Sequence, residues 1–533
     1  MIRGGTLYDG SGEPAVEADL AIDGDRIASV APRIAAAGRL EIDARGLAVA
    51  PGFINILSWA AESLLQDGRS QGDIRQGVTV EIFGEGESMG PLTPASREAL
   101  IALQGDITYD VSWTTLGEFL DHLVERGISP NVGSFVGATT IRVHEVGWED
   151  RRPTPTELER MRELVRAEMR GGALGVGSSL IYTPACFADT AELIALAAAA
   201  AETDGLYISH IRNEGEHIVA ALDEVTRISR EAGARVEVYH LKSAGRRNWP
   251  RIEDAISTIE GARAAGIPIT ADMYPYPASG TGLDATMPPW VQEGGMDAWI
   301  ARLQDPAVRG RVADEMRRPG VGWENELYNA GAEAVMVVGF RTPALQHLTG
   351  ATITAIAADR GLSPEETIMD LVIEDRSRVS SVYFTQSEDV VRRVAGLPWV
   401  SIGSDEGSYA PEGVFLRSQP HPRAYGSFAR FLGHLVRELG VTTLADAIRR
   451  ITSLPAAVLR LDDRGRLARG YVADVVVFDP ERIADRATFD APHQLAVGVE
   501  HVLVNGVHTL AAGEHTGARA GRVARGPGWL PGG

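Results

Sequence analysis

The sequence has one cysteine, Cys186, among 533 residues. That excludes an internal disulfide and any cysteine-rich metal site. Long apolar runs are also missing: the alanine-rich stretch Leu193 to Ala201 is far too short to cross a bilayer. The opening "MIRGGTLYDGSG" has no apolar stretch of the kind that forms the core of a secretory signal. Positive charge is scarce, with 51 Lys and Arg against 72 Asp and Glu and a net charge of −21. This balance argues against a polyanion such as nucleic acid as partner, although a local basic pocket for a small anion is compatible with it. There is no solenoid repeat. A cytoplasmic chain with no membrane partner is the expectation.

What is present is ordinary globular composition, 44% hydrophobic and 23% charged, in a chain long enough for a large domain and an accessory one. The ends are β-rich. "ADLAIDGDRIASVAP" places Asp23-Gly24 between two alternating runs, and "VEHVLVNGVHT" does the same with Asn505-Gly506. Segments 1–48 and 465–518 are therefore expected to pair into one small β-sandwich domain.

The middle alternates short apolar strands with helical patterns. Eight strands are expected: Gly52–Leu57, Val78–Phe83, Asn131–Val136, Ala173–Leu180, Leu206–His210, Val236–His240, Ile267–Tyr274 and Trp399–Asp405. Helical stretches such as "TPTELERMRELVRAEMR" separate them. Eight such units fit an α/β (β/α)8 TIM barrel over 49–464, with an open doubly wound sheet as the alternative. A lid-like insertion is expected at about 284–363. The Gly/Arg/Pro-rich tail, 519–533, either docks or frays.

A barrel carries its site at the C-terminal ends of its strands. Reactive side chains fall there: His210 in "LYISHIRNEGEH", His240 in "VEVYHLKSAG", Asp405 in "WVSIGSDEGSY", and Glu85 and Glu87 in "VEIFGEGES". Imidazole and carboxylate suit Zn²⁺. Each side chain alone has a plainer reading. A strand-end histidine can bond to backbone, "SDEG" is a turn sequence, and the glutamates can be solvated. Lys242, Tyr182, Tyr274, Tyr276, Arg212, Arg417 and Arg423 also fall at or after strand ends, where they can bind a substrate carboxylate or form a salt-bridged rim.

These motifs together resemble the amidohydrolase superfamily, and within it the D-aminoacylase (N-acyl-D-amino-acid deacylase) family. The resemblance spans nearly the whole chain, from "APGFI" and "QGVTVEIFGEG" through "LIYTPACFADTAEL", "SHIRNEG", "YHLKSAG", "ADMYPYPASGTGL" and "SIGSDEG" to "HPRAYGSFARFLG" and "ATFDAPHQLAVGVEHVLVNG". It implies a zinc site with His210 and His240 as ligands and Asp405 as catalytic acid/base. Two departures stand out. The family's His-x-His on the first strand is here Leu57 and Trp59, and its ligand cysteine on the second-strand turn is replaced by "GEGES". Glu85 is the expected substitute, with Glu87 as the alternative. "GVGSSLIYTP" offers no bridging lysine.

The resemblance therefore implies one Zn²⁺ per chain on Glu85, His210 and His240. Lys242, Tyr182, Arg423 and Tyr276 would bind the substrate. The expected activity is hydrolysis of an N-acyl-D-amino acid or related amide or dipeptide. The alternatives are a cyclic amide, carbamate or ester substrate, or an inactive barrel kept for binding. The expected partner is a small molecule carrying a carboxylate, and self-association is left open.

Overall fold

Helix 218–232 illustrates how the outer shell forms. Ile218, Ala221, Leu222, Val225 and Ile228 recur at helical spacing and are all buried, while the intervening positions are mainly polar. Helix 155–171 starts on Thr154, whose side chain accepts from the Glu157 N–H in a reciprocal capping box, and stops at Gly172 in the left-handed region. Truncating one stripe residue, such as Leu222 to Ala, costs about 2–5 kcal/mol.

In the computed structural model, which describes residues 1–531, these helices surround eight parallel strands. The strands are Phe53–Asn55, Val78–Phe83, Asn131–Ser134 continued by Val136–Gly137, Gly175–Ser179, Leu206–His210, Arg235–Val238, Ile269–Met273 and Val400–Ile402. Each pairs in parallel with the next. Closure between last and first comes just past the strand ends, where the Ser404 and Asp405 N–H groups donate to Leu57 O at 3.1 and 2.9 Å. Gly403 permits this approach, because a Cβ there would stand 2.9 Å from Leu57 Cβ. The expected barrel is thus the observed one.

The two chain ends meet where Ala48–Pro51 pairs antiparallel with Val475–Phe478, within one nine-stranded sheet. An isolated bridge from Arg26 to Val472 folds that sheet back on itself around Leu20, Ile27, Val49, Val475 and Leu503. Asn505 and Gly506 both have positive φ, as a tight two-residue hairpin turn requires.

The excursion between the seventh and eighth strands differs from expectation. It contains a three-stranded antiparallel sheet, Ser279–Gly282, Ser380–Tyr383 and Val335–Gly339, so it begins before 284 and runs past 363. Its own apolar cluster includes Trp299, Val335, Ile368 and Val372. The outer strand "SGTG" carries no apolar alternation, so its pairing left no trace in the sequence pattern. The tail docks across the N-terminal face of the barrel. Val523 bridges Val132, Ala524 N donates to Val132 O at 2.7 Å, and Gly526 N donates to Gly172 O at 2.9 Å. Among the described residues, no helix is long and apolar enough to cross a membrane.

Candidate metal centre

Glu85 stands two residues past the second strand, on the turn Gly84-Glu85-Gly86. Both glycines have positive φ, and a Cβ on Gly86 would lie 2.6 Å from Ser179 Cβ. The turn therefore presses against the fourth strand and points the Glu85 carboxylate into the mouth. His210 ends the fifth strand. His240 follows the sixth with φ 36°, an unusual backbone for a histidine and one that aims its ring inward.

Glu85, His210 and His240 converge. Glu85 Oε1 lies 3.1 Å from His210 Nδ1 and 3.0 Å from His240 Nε2, and the three donor atoms fall within 4.8 Å of one another. All three side chains are buried. Ser179 Oγ donates to the same Oε1 at 3.3 Å. Burial pushes the Glu85 carboxyl up, but His240 and His210 overcome it and hold it well below the usual carboxylate range. For His240, burial and then Lys242 act to lower the pKa. Glu214 and Glu85 win, and raise it to about 10. Glu85 and His240 thus favour one another's charged forms, and a metal bound there would take the place of the proton on His240 Nε2. The far nitrogen of His210, Nε2, is buried with no hydrogen-bond partner among the described residues. Two nitrogens and one oxygen, two of them on imidazoles, fit zinc. Glu87 is exposed and is not part of the cluster.

Asp405 sits in the left-handed region just past the eighth strand, with φ 53°. Arg423 Nη1 donates to its Oδ2 at 2.6 Å, and Trp59 Nε1 donates to its Oδ1 at 3.2 Å. Burial raises its carboxyl, with Arg423 opposing. The Arg423 guanidinium also lies over the Tyr274 ring, 4.5 Å from its centroid. Lys242 is buried beside the triad, 2.7 Å from Glu214 Oε1 and 2.8 Å from His240 Nδ1. Tyr182 stands edge-on to His210, with ring centroids 5.4 Å apart, and its hydroxyl accepts from Thr281 Oγ1.

Other candidates lie elsewhere. Tyr276 donates to Asp485 at 3.1 Å and packs on His421, so its hydroxyl turns away from the triad. Strand alternation would put Tyr276 on the same side as Tyr274, but both lie past the strand end at Met273, where the chain turns and Tyr276 N–H donates to Tyr274 O at 3.0 Å. Arg212 is tied to Glu224 and to the Cys186 and Ala188 carbonyls, and Arg417 pairs with Asp106. Burial pushes the Cys186 thiol up to about 11, and Cys186 is not part of the cluster. Leu57 is fully buried, while Trp59 reaches the mouth and donates to both Glu85 Oε2, at 3.0 Å, and Asp405. Sequence reading missed Glu214 and Arg378. Glu214 lies four residues past His210 inside a quoted motif. Arg378, on the excursion, lies 4.7 Å from the Tyr182 ring centroid and pairs with Asp284.

A closed parallel barrel with two imidazoles and two carboxylates gathered at its C-terminal mouth is the architecture of a metal-dependent hydrolase. Residues 40–509 match the family described as Amidohydrolase family, and the chain belongs to that family. The chain is 34% identical over 524 residues to the D-aminoacylase of Alcaligenes xylosoxydans xylosoxydans, covering 98% of this chain and 96% of that one. Two solved structures are each 31% identical, with a TM-score of 0.81 and 98% of both chains covered. One is the N-acyl-D-glutamate deacylase from Bordetella bronchiseptica, complexed with zinc and a phosphonate that mimics the tetrahedral intermediate. The other is a D-aminoacylase described by a binuclear metal center with one-metal activation and second-metal attenuation.

Proposed function

We propose that the protein is a zinc-dependent hydrolase that cleaves the amide bond of an N-acyl-D-amino acid or a closely related amide or dipeptide. The observation that carries this reading is the convergence of Glu85, His210 and His240 with Asp405 across the same mouth. The deacylases it resembles act on N-acyl-D-amino acids, including the glutamate derivative.

Glu85 Oε1, His210 Nδ1 and His240 Nε2 would hold the metal. A zinc ion there supplies Lewis acidity toward the amide carbonyl and makes water acidic near neutral pH. Asp405 accepts the proton of the attacking water and delivers it to the leaving nitrogen. Arg423 and Trp59 hold its two oxygens in place meanwhile. Arg423 and Lys242 are the cations available to a substrate carboxylate, and Tyr182 stands against His210 with the Arg378 guanidinium over its ring.

One metal per chain is part of the proposal. Leu57 offers no ligand and is closed into the core, and the Trp59 N–H points its positive end at Glu85 and Asp405. A second cation between those carboxylates would meet that dipole. Elemental analysis of the purified protein tests the stoichiometry: one zinc per chain supports it, and none or two overturns it. A screen of N-acyl-D- and N-acyl-L-amino acids for released amino acid tests the substrate class. Hydrolysis confined to the L series would overturn that part.

A further inference from the structure

Glu214 lies in the loop after the fifth barrel strand, 4% exposed, with its carboxylate behind both imidazoles. Its Oε1 is 3.0 Å from His240 Nδ1, and its Oε2 is 3.6 Å from His210 Nε2. These are the two ring nitrogens that face away from Glu85. The backbone of Glu214 is pinned on both sides. Its N–H donates to Glu324 Oε2 at 2.8 Å, and its carbonyl accepts from the Ala244 N–H at 2.8 Å. Glu324 belongs to the excursion and is itself buried, so the excursion supports this loop from outside the barrel. Lys242 Nζ sits on Oε1 at 2.7 Å and balances the charge.

A histidine that gives one ring nitrogen to a metal carries its proton on the other. That N–H needs an acceptor when the ring is buried, since an unpaired buried donor costs about 1–3 kcal/mol. His210 Nε2 has no partner, and a small turn of the ring brings it within bonding distance of Glu214 Oε2. His240 Nδ1 lies 3.0 Å from Oε1, and Lys242 Nζ, 2.8 Å from the same nitrogen and 2.7 Å from the same oxygen, leaves that N–H its acceptor by turning onto the carboxylate alone. We propose that Glu214 is the positioning residue of the metal centre: one carboxylate takes the outward N–H of both ligand imidazoles and so fixes which nitrogen of each ring faces the metal. This rests on the metal reading of the triad. It extends that reading inward, because Glu214 touches neither metal nor substrate and acts only through His210 and His240.

The test is zinc affinity, measured by competition with a chromogenic chelator on the purified full chain. A Glu214→Gln amide has a single acceptor oxygen and cannot serve both rings. Because that change alone strands the Lys242 charge, the deciding variant is E214Q combined with K242M, which leaves a neutral pair of similar volume. The expected result is zinc bound about 10–100-fold more weakly than by the wild type, with K242M alone within about threefold of it. The unfolding midpoint of the metal-free form separates a structural role, which would lower that midpoint and leave the zinc affinity unchanged. A double variant that holds zinc as tightly as the wild type overturns the inference and leaves the metal site standing. A wild type that binds no zinc overturns the metal site itself.

Discussion

Trp59 donates its indole N–H to Asp405 Oδ1 at 3.2 Å, across the seam where the first barrel strand meets the eighth. The same N–H lies 3.0 Å from Glu85 Oε2. One neutral donor thus ties the residue assigned to proton transfer to a residue of the metal triad. It stands where the related family carries a histidine.

Replacing Trp59 with Phe keeps an aromatic ring and removes the donor. A hydrogen bond to a carboxylate favours its charged form, so losing it raises the Asp405 pKa, which burial has already raised. Asp405 works as a base only when ionised, so turnover falls as pH drops through that pKa. The expected outcome is an acid limb of the kcat profile moved to higher pH by about one unit, with kcat reduced up to about tenfold below the limb and little changed above it. A pH series of kcat checks it, and an unmoved limb would remove Trp59 from the proton-transfer step.

Asp405→Asn should keep bound zinc, because Asp405 is outside the Glu85, His210 and His240 cluster. It should lose turnover by about 10²–10⁴-fold, the usual contribution of a positioned acid/base. Metal content and kcat measured on the same preparation decide this. Wild-type turnover in the variant would assign the proton transfer elsewhere, and a wild type with no turnover would favour a binding protein.

Restoring both family histidines, Leu57→His with Trp59→His, replaces an apolar wall and an N–H donor with two imidazoles beside Glu85 and Asp405. Metal content is expected to rise from one toward about two per chain by elemental analysis. Unchanged stoichiometry would show that more than these two side chains closes the second position.

How far the sequence carried depended on the physics of each feature. The barrel strands were legible because buried parallel strands are continuous apolar runs, and "VTVEIF" and "LYISH" cannot be mistaken for surface. His210, His240 and Asp405 were legible because strand ends share one rim. Glu85 over Glu87 was legible only by closeness to the strand; the structure separates them by the turn that Gly84 and Gly86 impose. Tyr276 was misplaced because alternation past a strand end is no longer guaranteed once the chain turns. Glu214 stayed hidden because its role depends on the far nitrogens of two rings, a relationship that no linear spacing encodes. The excursion's sheet stayed hidden because "SGTG" pairs through backbone alone.

Beneath Trp59, the barrel holds a carboxyl that should make stability depend on pH. Glu81, on the second strand, is fully buried and accepts from Ser70 Oγ at 2.6 Å and Ser58 Oγ at 3.0 Å. Burial pushes it up to about 7, and the serine hydroxyls only partly oppose this. A folded-state pKa above the unfolded value means that the native state binds the proton more tightly. The stability this gives is fully present below the unfolded carboxyl pKa and is lost as pH rises through about 7. Glu237 and Glu326, also raised to about 7 mainly by burial, act in the same direction. The informative quantity is therefore the difference between wild type and Glu81→Gln, whose amide stays neutral throughout. Denaturant midpoints at pH about 5.5 and about 8.5 should show the wild type losing more stability across that interval than the variant, by a few kcal/mol at most. Equal losses in the two proteins would mean that Glu81 stays protonated, or stays ionised, across the whole interval.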